Sequence, residues 1–177
     1  MRIISGIYKS RILKTPDKSD ETRPTTDMAR ETLFNILTNL IDFDKTVCLD
    51  LFCGTGSFGF ECLSRGAPKA YFVDNKTKIV ENNAELLKTE NKSFIINYDV
   101  LSFLKNDYNG ECNLVFADPP YSFKKYNDLI HLLSFHNSYF ILEHSEKFIY
   151  TGEHSESIFK KKKTGITEFT FFNFNII

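Results

Sequence analysis

Tryptophan is absent from this 177-residue chain, and glycine is scarce at 8 residues, so any cluster of glycines stands out. No apolar run approaches the ~20 residues of a membrane helix. The start Met1-Arg2-Ile3-Ile4-Ser5-Gly6 lacks a signal-peptide core. The four cysteines (Cys48, Cys53, Cys62, Cys112) form no C-x-x-C pair and have no histidine at ligand spacing. That pattern excludes a zinc motif and a disulfide framework, and it predicts reduced thiols in a soluble cytoplasmic protein without a metal. A large charge of one sign is missing too, since the net charge is −1. Any nucleic-acid contact must then come from a local patch rather than from the whole surface.

What is present suits one globular domain: 42% hydrophobic residues, 25% charged residues and 18 phenylalanines. The length is enough to bury a proper core, and a monomer is expected. The charge that matters is uneven. Residues 1–14 carry Arg2, Lys9, Arg11 and Lys14 and no acid. This is either a phosphate footprint or a solvated terminal hairpin. Weak alternation over residues 2–13 around Ser5-Gly6 predicts a short β-hairpin with no part in the core of the main sheet. We place an arm at 1–23 and a main domain at 24–177. Within the latter, Pro24-Thr25-Thr26-Asp27 predicts a helix start capped by Thr26 or Asp27. An apolar stripe of Met28, Leu33, Phe34, Ile36, Leu37 and Leu40 follows it.

From residue 46 a regular alternation begins. Apolar runs at 46–52, 69–73, 93–97, 112–117 and 138–142 predict buried parallel strands, with helical patterns near 57–65, 76–90, 100–106 and 124–134 between them. Gly66 is placed to end the first of these helices. Ser157–Lys162 and Thr167–Asn175 flank Thr164-Gly165 and predict an antiparallel pair, with Lys160–Lys163 as a solvated strand edge. The fold class is therefore α/β, a Rossmann-like, mostly parallel sheet with an antiparallel C-terminal addition.

Asp50-Leu51-Phe52-Cys53-Gly54-Thr55-Gly56-Ser57-Phe58-Gly59 follows the first parallel strand. Glycines there let a ligand approach the backbone at the carboxyl end of the sheet. Gly54, Gly56 and Gly59 satisfy G-x-G-x-x-G, yet a carboxylate just before the loop repels the pyrophosphate of a dinucleotide. Asp50 suits a cation instead, such as a ligand carrying a sulfonium and an α-amino group. Asp74, 24 residues on, ends the second strand and suits two ribose hydroxyls. Asp99, 25 residues further, follows the third strand and suits an adenine amino group. Each aspartate alone reads as a loop or cap residue; the set of three with the glycine loop points to a nucleoside-containing ligand.

Leu114-Val115-Phe116-Ala117 runs into Asp118-Pro119-Pro120-Tyr121. The prolines hold Asp118 extended and remove N–H donors, so the segment presents acceptors. An exocyclic base amine is a poor nucleophile because its lone pair is delocalised into the ring. A carboxylate and a backbone carbonyl that accept its hydrogens turn that lone pair outward, and Tyr121 can stack on the base. In isolation the tetrapeptide reads as a turn after a buried strand; the glycine loop reverses that reading. Methylation at pyrimidine C5 is excluded, because it needs a cysteine commonly presented after proline and none of the five prolines precedes one. Cys53 reads as a small packing residue.

With Arg2-Ile3-Ile4-Ser5-Gly6, Thr22-Arg23-Pro24-Thr25, Asp27, Arg30-Glu31, Leu63-Ser64-Arg65-Gly66-Ala67 and the two motifs above, nearly the whole chain resembles the RsmD family. These are bacterial 16S rRNA guanine-N2 methyltransferases. The resemblance implies a seven-stranded methyltransferase sheet and methyl transfer from S-adenosylmethionine to the 2-amino group of a guanine. The implied partner is 16S rRNA in the small ribosomal subunit or an assembly intermediate. It implies catalytic roles for Asp118, Pro119, Pro120 and Tyr121. Cofactor binding falls to Asp50, Phe52, Gly54, Thr55, Gly56, Asp74, Asn75, Asp99 and Val100, and RNA binding to Arg2, Lys9, Arg11, Arg23, Thr25 and Arg30. One departure stands out: where the family carries an aromatic-Arg-Gly-Arg run, this chain has Tyr8-Lys9-Ser10-Arg11. The alternatives are a DNA adenine-N6 or cytosine-N4 methyltransferase, a nicotinamide-dependent oxidoreductase, and an inactive RNA-binding protein.

Overall fold

Seven strands form one sheet in the order β3-β2-β1-β4-β5-β7-β6. They are β1 (Val47–Leu51), β2 (Lys69–Asp74), β3 (Ser93–Asn97), β4 (Leu114–Ala117), β5 (Tyr139–Ser145), β6 (Ile158–Thr164) and β7 (Thr167–Asn173). The computed structural model describes residues 1–16 and 27–175. β1 to β5 are parallel and β7 runs antiparallel between β5 and β6. The α/β fold and its antiparallel C-terminal strand match expectation. Successive strands first step outward from β1 to β3 and then return to β4. The topological switch, where such sheets bind ligands, therefore falls between β1 and β4.

Helices cover both faces. α1 (Asp27–Thr38), α2 (Ser57–Ser64) and α3 (Lys78–Leu87) pack on one face through Leu33, Phe34, Phe60, Leu63 and Val80. α4 (Val100–Asn106) and α5 (Tyr126–Ser134) close the other through Phe103, Leu104, Leu129 and Leu133. β1 and β4, covered on both sides, are apolar almost throughout, as a buried parallel strand must be. β6 is the sheet edge; its lysines are exposed, and an irregularity between Ile158 and Lys160 disrupts its pairing. Both features keep another strand from adding there. No helix among the described residues is long and apolar enough to cross a membrane.

Two expectations are corrected. Met28 is 77% exposed and lies outside the buried stripe of α1, because at 100° per residue it falls on the side of the helix opposite Arg30, Leu33, Phe34 and Leu37. The N-terminal arm also belongs to the core: Ile3 and Leu13 are buried in the same cluster as Phe34, Phe60 and Phe72. The arm pairs through one antiparallel bridge, Arg2 to Ile12, and its reversal spans residues 5–10 rather than Ser5-Gly6. Ile4 N–H and Ser5 N–H donate to the buried Glu61 carboxylate of α2 at 2.7 and 3.0 Å. Gly6 has φ +82°, and a Cβ there would meet the Ser64 carbonyl at 1.8 Å, so only glycine lets the arm lie on α2. The expected boundary at 23/24 and the Thr26 cap lie outside the described residues.

Candidate active site

The carboxyl ends of β1, β2 and β4 lie side by side, since Leu51 pairs with both Val73 and Ala117. The next residues are therefore neighbours: the Phe52–Gly56 loop, Asp74 at the end of β2, and Asp118. The loop turns into α2 at Gly56, which has φ +76°. A Cβ there would strike the Phe60 ring at 2.6 Å and Val80 at 2.7 Å. Gly54 also has positive φ, and a Cβ there would meet the Phe52 carbonyl oxygen only at 4.0 Å, which leaves room for a ligand beside its backbone. Phe52 holds the left-handed conformation without being glycine (φ +55°). Strain of that kind gathers at ligand sites.

Three carboxylates face this loop. Asp50 is buried in β1 and accepts from Gly59 N–H at 2.9 Å. Burial pushes its carboxyl well up; that hydrogen bond opposes the shift, and the charges of Asp118 and Asp74 add to it. Asp74 accepts from Gly54 N–H at 2.9 Å and Lys76 N–H at 3.0 Å, one bond to each oxygen. Each oxygen keeps a second lone pair for a ligand hydroxyl. Crowding by protein pushes Asp118 up to about 7, while its outer edge meets solvent and works against that shift. The mutual repulsion of these acids disfavours an anion and favours a cation.

The remaining expected residues divide clearly. Thr55 and Asn75 line the same loops, with Asn75 exposed. Asp99 is the N-cap of α4, accepting from Ser102 N–H at 2.9 Å, and that backbone bond holds its carboxyl below the usual range. Val100, the first residue of α4, is buried, so only its backbone can reach a ligand. A groove of about 940 Å³ opens between α4 and the loop after β4, lined by Asp99, Leu101, Ser102, Pro120, Phe123 and Lys125. Cys53 is buried and its thiol is pushed well up by burial, which suits packing and not nucleophilic attack.

At the tetrapeptide, Pro119 is buried and Pro120 exposed. Pro120 O accepts from Phe123 N–H at 2.8 Å. Tyr121 is 58% exposed, which leaves its ring free to stack. Sequence reasoning missed the wall beside it: Phe52 meets Phe123 edge-on, Phe123 meets Tyr126 edge-on, and Tyr126 stacks on Phe148 at 4.3 Å. Burial and the Asp118 charge both push the Tyr126 hydroxyl up, so the wall borders that carboxylate. Phe123 and Tyr126 follow the tetrapeptide within five residues and were findable; Phe148 carries no local signal.

The basic residues also separate. Lys9, Arg11 and Lys14 are exposed. Arg2 is exposed and pairs with Asp27 at 3.0 Å. Arg30 is buried: its Nη2 donates to Asp27 at 2.8 Å and to the Arg2 carbonyl, while Nε and Nη1 have no partner among the described residues. Arg30 first and Arg2 next hold Asp27 below its usual range. Arg23 and Thr25 lie outside the described residues. A further missed residue, Asn83, ties the arm to the glycine loop. Its Oδ1 accepts from Lys14 N–H at 2.8 Å, and its Nδ2 donates to the carbonyls of Lys14 and Thr55.

Known proteins resemble this arrangement closely. The model of the family described as conserved hypothetical protein 95 matches residues 1–173. The ribosomal RNA small subunit methyltransferase D of Haemophilus influenzae is 36% identical over 96% of this chain and 91% of its own length. A solved Escherichia coli structure assigned as a methyltransferase superposes with a TM-score of 0.81 at 28% identity, covering 100% of this chain and 99% of that one. A solved Haemophilus influenzae protein assigned as a methylase gives a TM-score of 0.79 at 30% identity, over 99% and 98% of the two chains. A match of that length and identity, on the fold and loop geometry described above, makes this chain a member of the conserved hypothetical protein 95 family, that of the small-subunit rRNA methyltransferase D (RsmD) proteins.

Proposed function

We propose that this protein methylates small-subunit rRNA using S-adenosylmethionine, and that the acceptor is the exocyclic 2-amino group of a guanine. The observation that carries the cofactor is the trio Asp50, Asp74 and Asp118 around a glycine loop with positive φ at Gly54 and Gly56. A sulfonium and an ammonium relieve the repulsion of these acids, whereas a pyrophosphate worsens it. Asp74 keeps acceptor capacity for the ribose, and the groove between Asp99 and Pro120 has room for an adenine. S-adenosylmethionine supplies the electrophilic methyl group.

The chain's own residues do the rest. Asp118 accepts one hydrogen of the base amine and the Pro119 carbonyl accepts the other, because the Pro120 carbonyl is already engaged. The two acceptors aim the nitrogen lone pair at the methyl carbon, and Asp118 draws off the surplus proton as the new N–C bond forms. Tyr121 grips the base face, with Phe123 and Tyr126 as the wall beside it. Lys9, Arg11 and Lys14 hold the RNA backbone without reading its sequence, and Arg23 and Thr25 extend that contact in this reading. The same-family relative named an rRNA small subunit methyltransferase supports the RNA class.

The test is nucleoside mass spectrometry on ribosomal subunits from a strain lacking the protein, remethylated by the purified enzyme. Restoration of N2-methylguanosine in small-subunit rRNA is the expected result. Methylation of adenine or cytosine in DNA, or tight calorimetric binding of NAD in place of S-adenosylmethionine, overturns the assignment.

A further inference from the structure

Where α5 borders the groove, with His131 in its lining, two histidines and a glutamate from separate elements converge. His131 lies in the last turn of α5, while Glu153 and His154 belong to the connection between β5 and β6. His131 Nδ1 and His154 Nε2 are 3.4 Å apart, and Glu153 Oε2 lies 3.8 Å from the first and 4.0 Å from the second. Nitrogen ligands about 2.0–2.1 Å from a tetrahedral zinc ion are separated by about 3.3–3.4 Å along the tetrahedron edge. The two imidazoles already have that separation. Glu153 needs a movement of about half an ångström to close the third edge, which its 82%-exposed side chain is free to make.

Packing holds the His154 ring more firmly than the His131 ring, the two side chains being 21% and 52% exposed. His131 meets Phe135 edge-on at 4.9 Å and His154 meets Phe174 edge-on at 6.1 Å. His154 N–H also donates to the Tyr150 hydroxyl at 3.4 Å. Binding would then order the Glu153 side chain and the half-exposed His131 ring, and a fourth position stays open to water.

We propose that His131, Glu153 and His154 form a site for a divalent metal ion of the zinc class, which clamps the β5–β6 connection onto α5. Two imidazoles and one carboxylate select zinc, nickel or copper over calcium and magnesium, which take all-oxygen shells. The clamped connection also carries Phe148, whose ring stacks on Tyr126.

The experiment is calorimetry with Zn²⁺ alone on the full, untagged chain, alongside thermal unfolding with and without the ion. The four cysteines are buried and do not compete in the folded protein. One Zn²⁺ per chain is expected, with a dissociation constant on the order of micromolar, and a melting temperature that rises with Zn²⁺. His131→Ala and His154→Ala should each weaken binding at least tenfold and abolish the thermal shift. Glu153→Gln, at a fully accessible position, should weaken it by a smaller factor without affecting folding. Absence of saturable binding at about a hundred times that concentration overturns the site. So does binding that survives either histidine substitution.

Discussion

The carboxyl ends of β1, β2 and β4 and the N-terminal arm are both charged regions, but their charges do different work. Asp50 is buried, and the charges of Asp118 and Asp74 add to the burial that pushes its carboxyl up, so the cluster holds repulsion that a cation relieves. The cations Lys9, Arg11 and Lys14 sit in solvent, where charge is screened and positions a partner without storing energy. What fixes the arm is not its charge but Ile3, Leu13 and the buried Glu61 behind it. Loss of charge should therefore be felt in turnover at the first region and in salt-dependent RNA affinity at the second. Only loss of the buried partners should be felt in stability.

The largest effect expected is at Asp118. Asp118→Asn should lower methyl transfer about a thousandfold with little change in S-adenosylmethionine affinity, since the carboxylate acts on the amine in the transition state. With its carboxyl raised to about 7, the ionised, active form grows with pH. Rate should rise about tenfold per pH unit below that value and level off above it, and Asp118→Asn should flatten the profile. The folding sign is opposite. A raised carboxyl favours the folded state most fully below its ordinary 3.8 and loses that contribution as pH climbs through about 7. A flat wild-type rate profile between pH 5 and 9 speaks against this role.

Next in size is Glu61→Ala, which leaves Ile4 N–H, Ser5 N–H and Arg65 without their buried acceptor. Urea unfolding should show a loss of about 3 kcal/mol. A loss under about 0.5 kcal/mol would mean that the arm is not stitched to α2 as described.

Replacing Lys9, Arg11 and Lys14 together with Gln should leave the melting temperature nearly unchanged. Filter binding to rRNA should weaken on the order of tenfold, and its log–log salt slope should flatten by about 2–3. Normal binding across the salt titration would reduce the arm to a packed element. Truncating residues 1–14 cannot make this distinction, because it also removes Ile3 and Leu13 from the core.

The smallest effect lies between the two regions' logics. Ser10 has φ +68° at the position where the family run carries glycine. Ser10→Gly should raise stability by about 0.5–1 kcal/mol by relieving that conformation, with RNA affinity unchanged. A destabilised Ser10→Gly would show that the serine side chain earns its place by a contact.

Much of this molecule was legible without coordinates because strand and helix periods are local. The runs that became β1 to β4 and the pattern of α4 fell within a residue or two of their observed bounds, and the bends at Gly54, Gly56 and Gly66 follow from glycine alone. The motif from Asp50 to Gly59 and the tetrapeptide at Asp118 carry their chemistry within a few residues, so they could be read directly. Contacts between distant segments could not. Nothing local marks Glu61 or Asn83, and only the folded chain brings them under the arm. His131 and His154 lie 23 residues apart, far beyond any ligand-spacing rule, until α5 and the β5–β6 connection fold together. Phe148 reaches Tyr126 in the same way, and Arg30 reads as a surface cation until it is buried beside Asp27. The sequence by itself determined the sheet, the glycine loop and the tetrapeptide Asp118-Pro119-Pro120-Tyr121, because periodicity and turn chemistry act over short stretches. The tertiary structure alone decided which polar groups were buried together, since burial depends on segments that no local pattern connects.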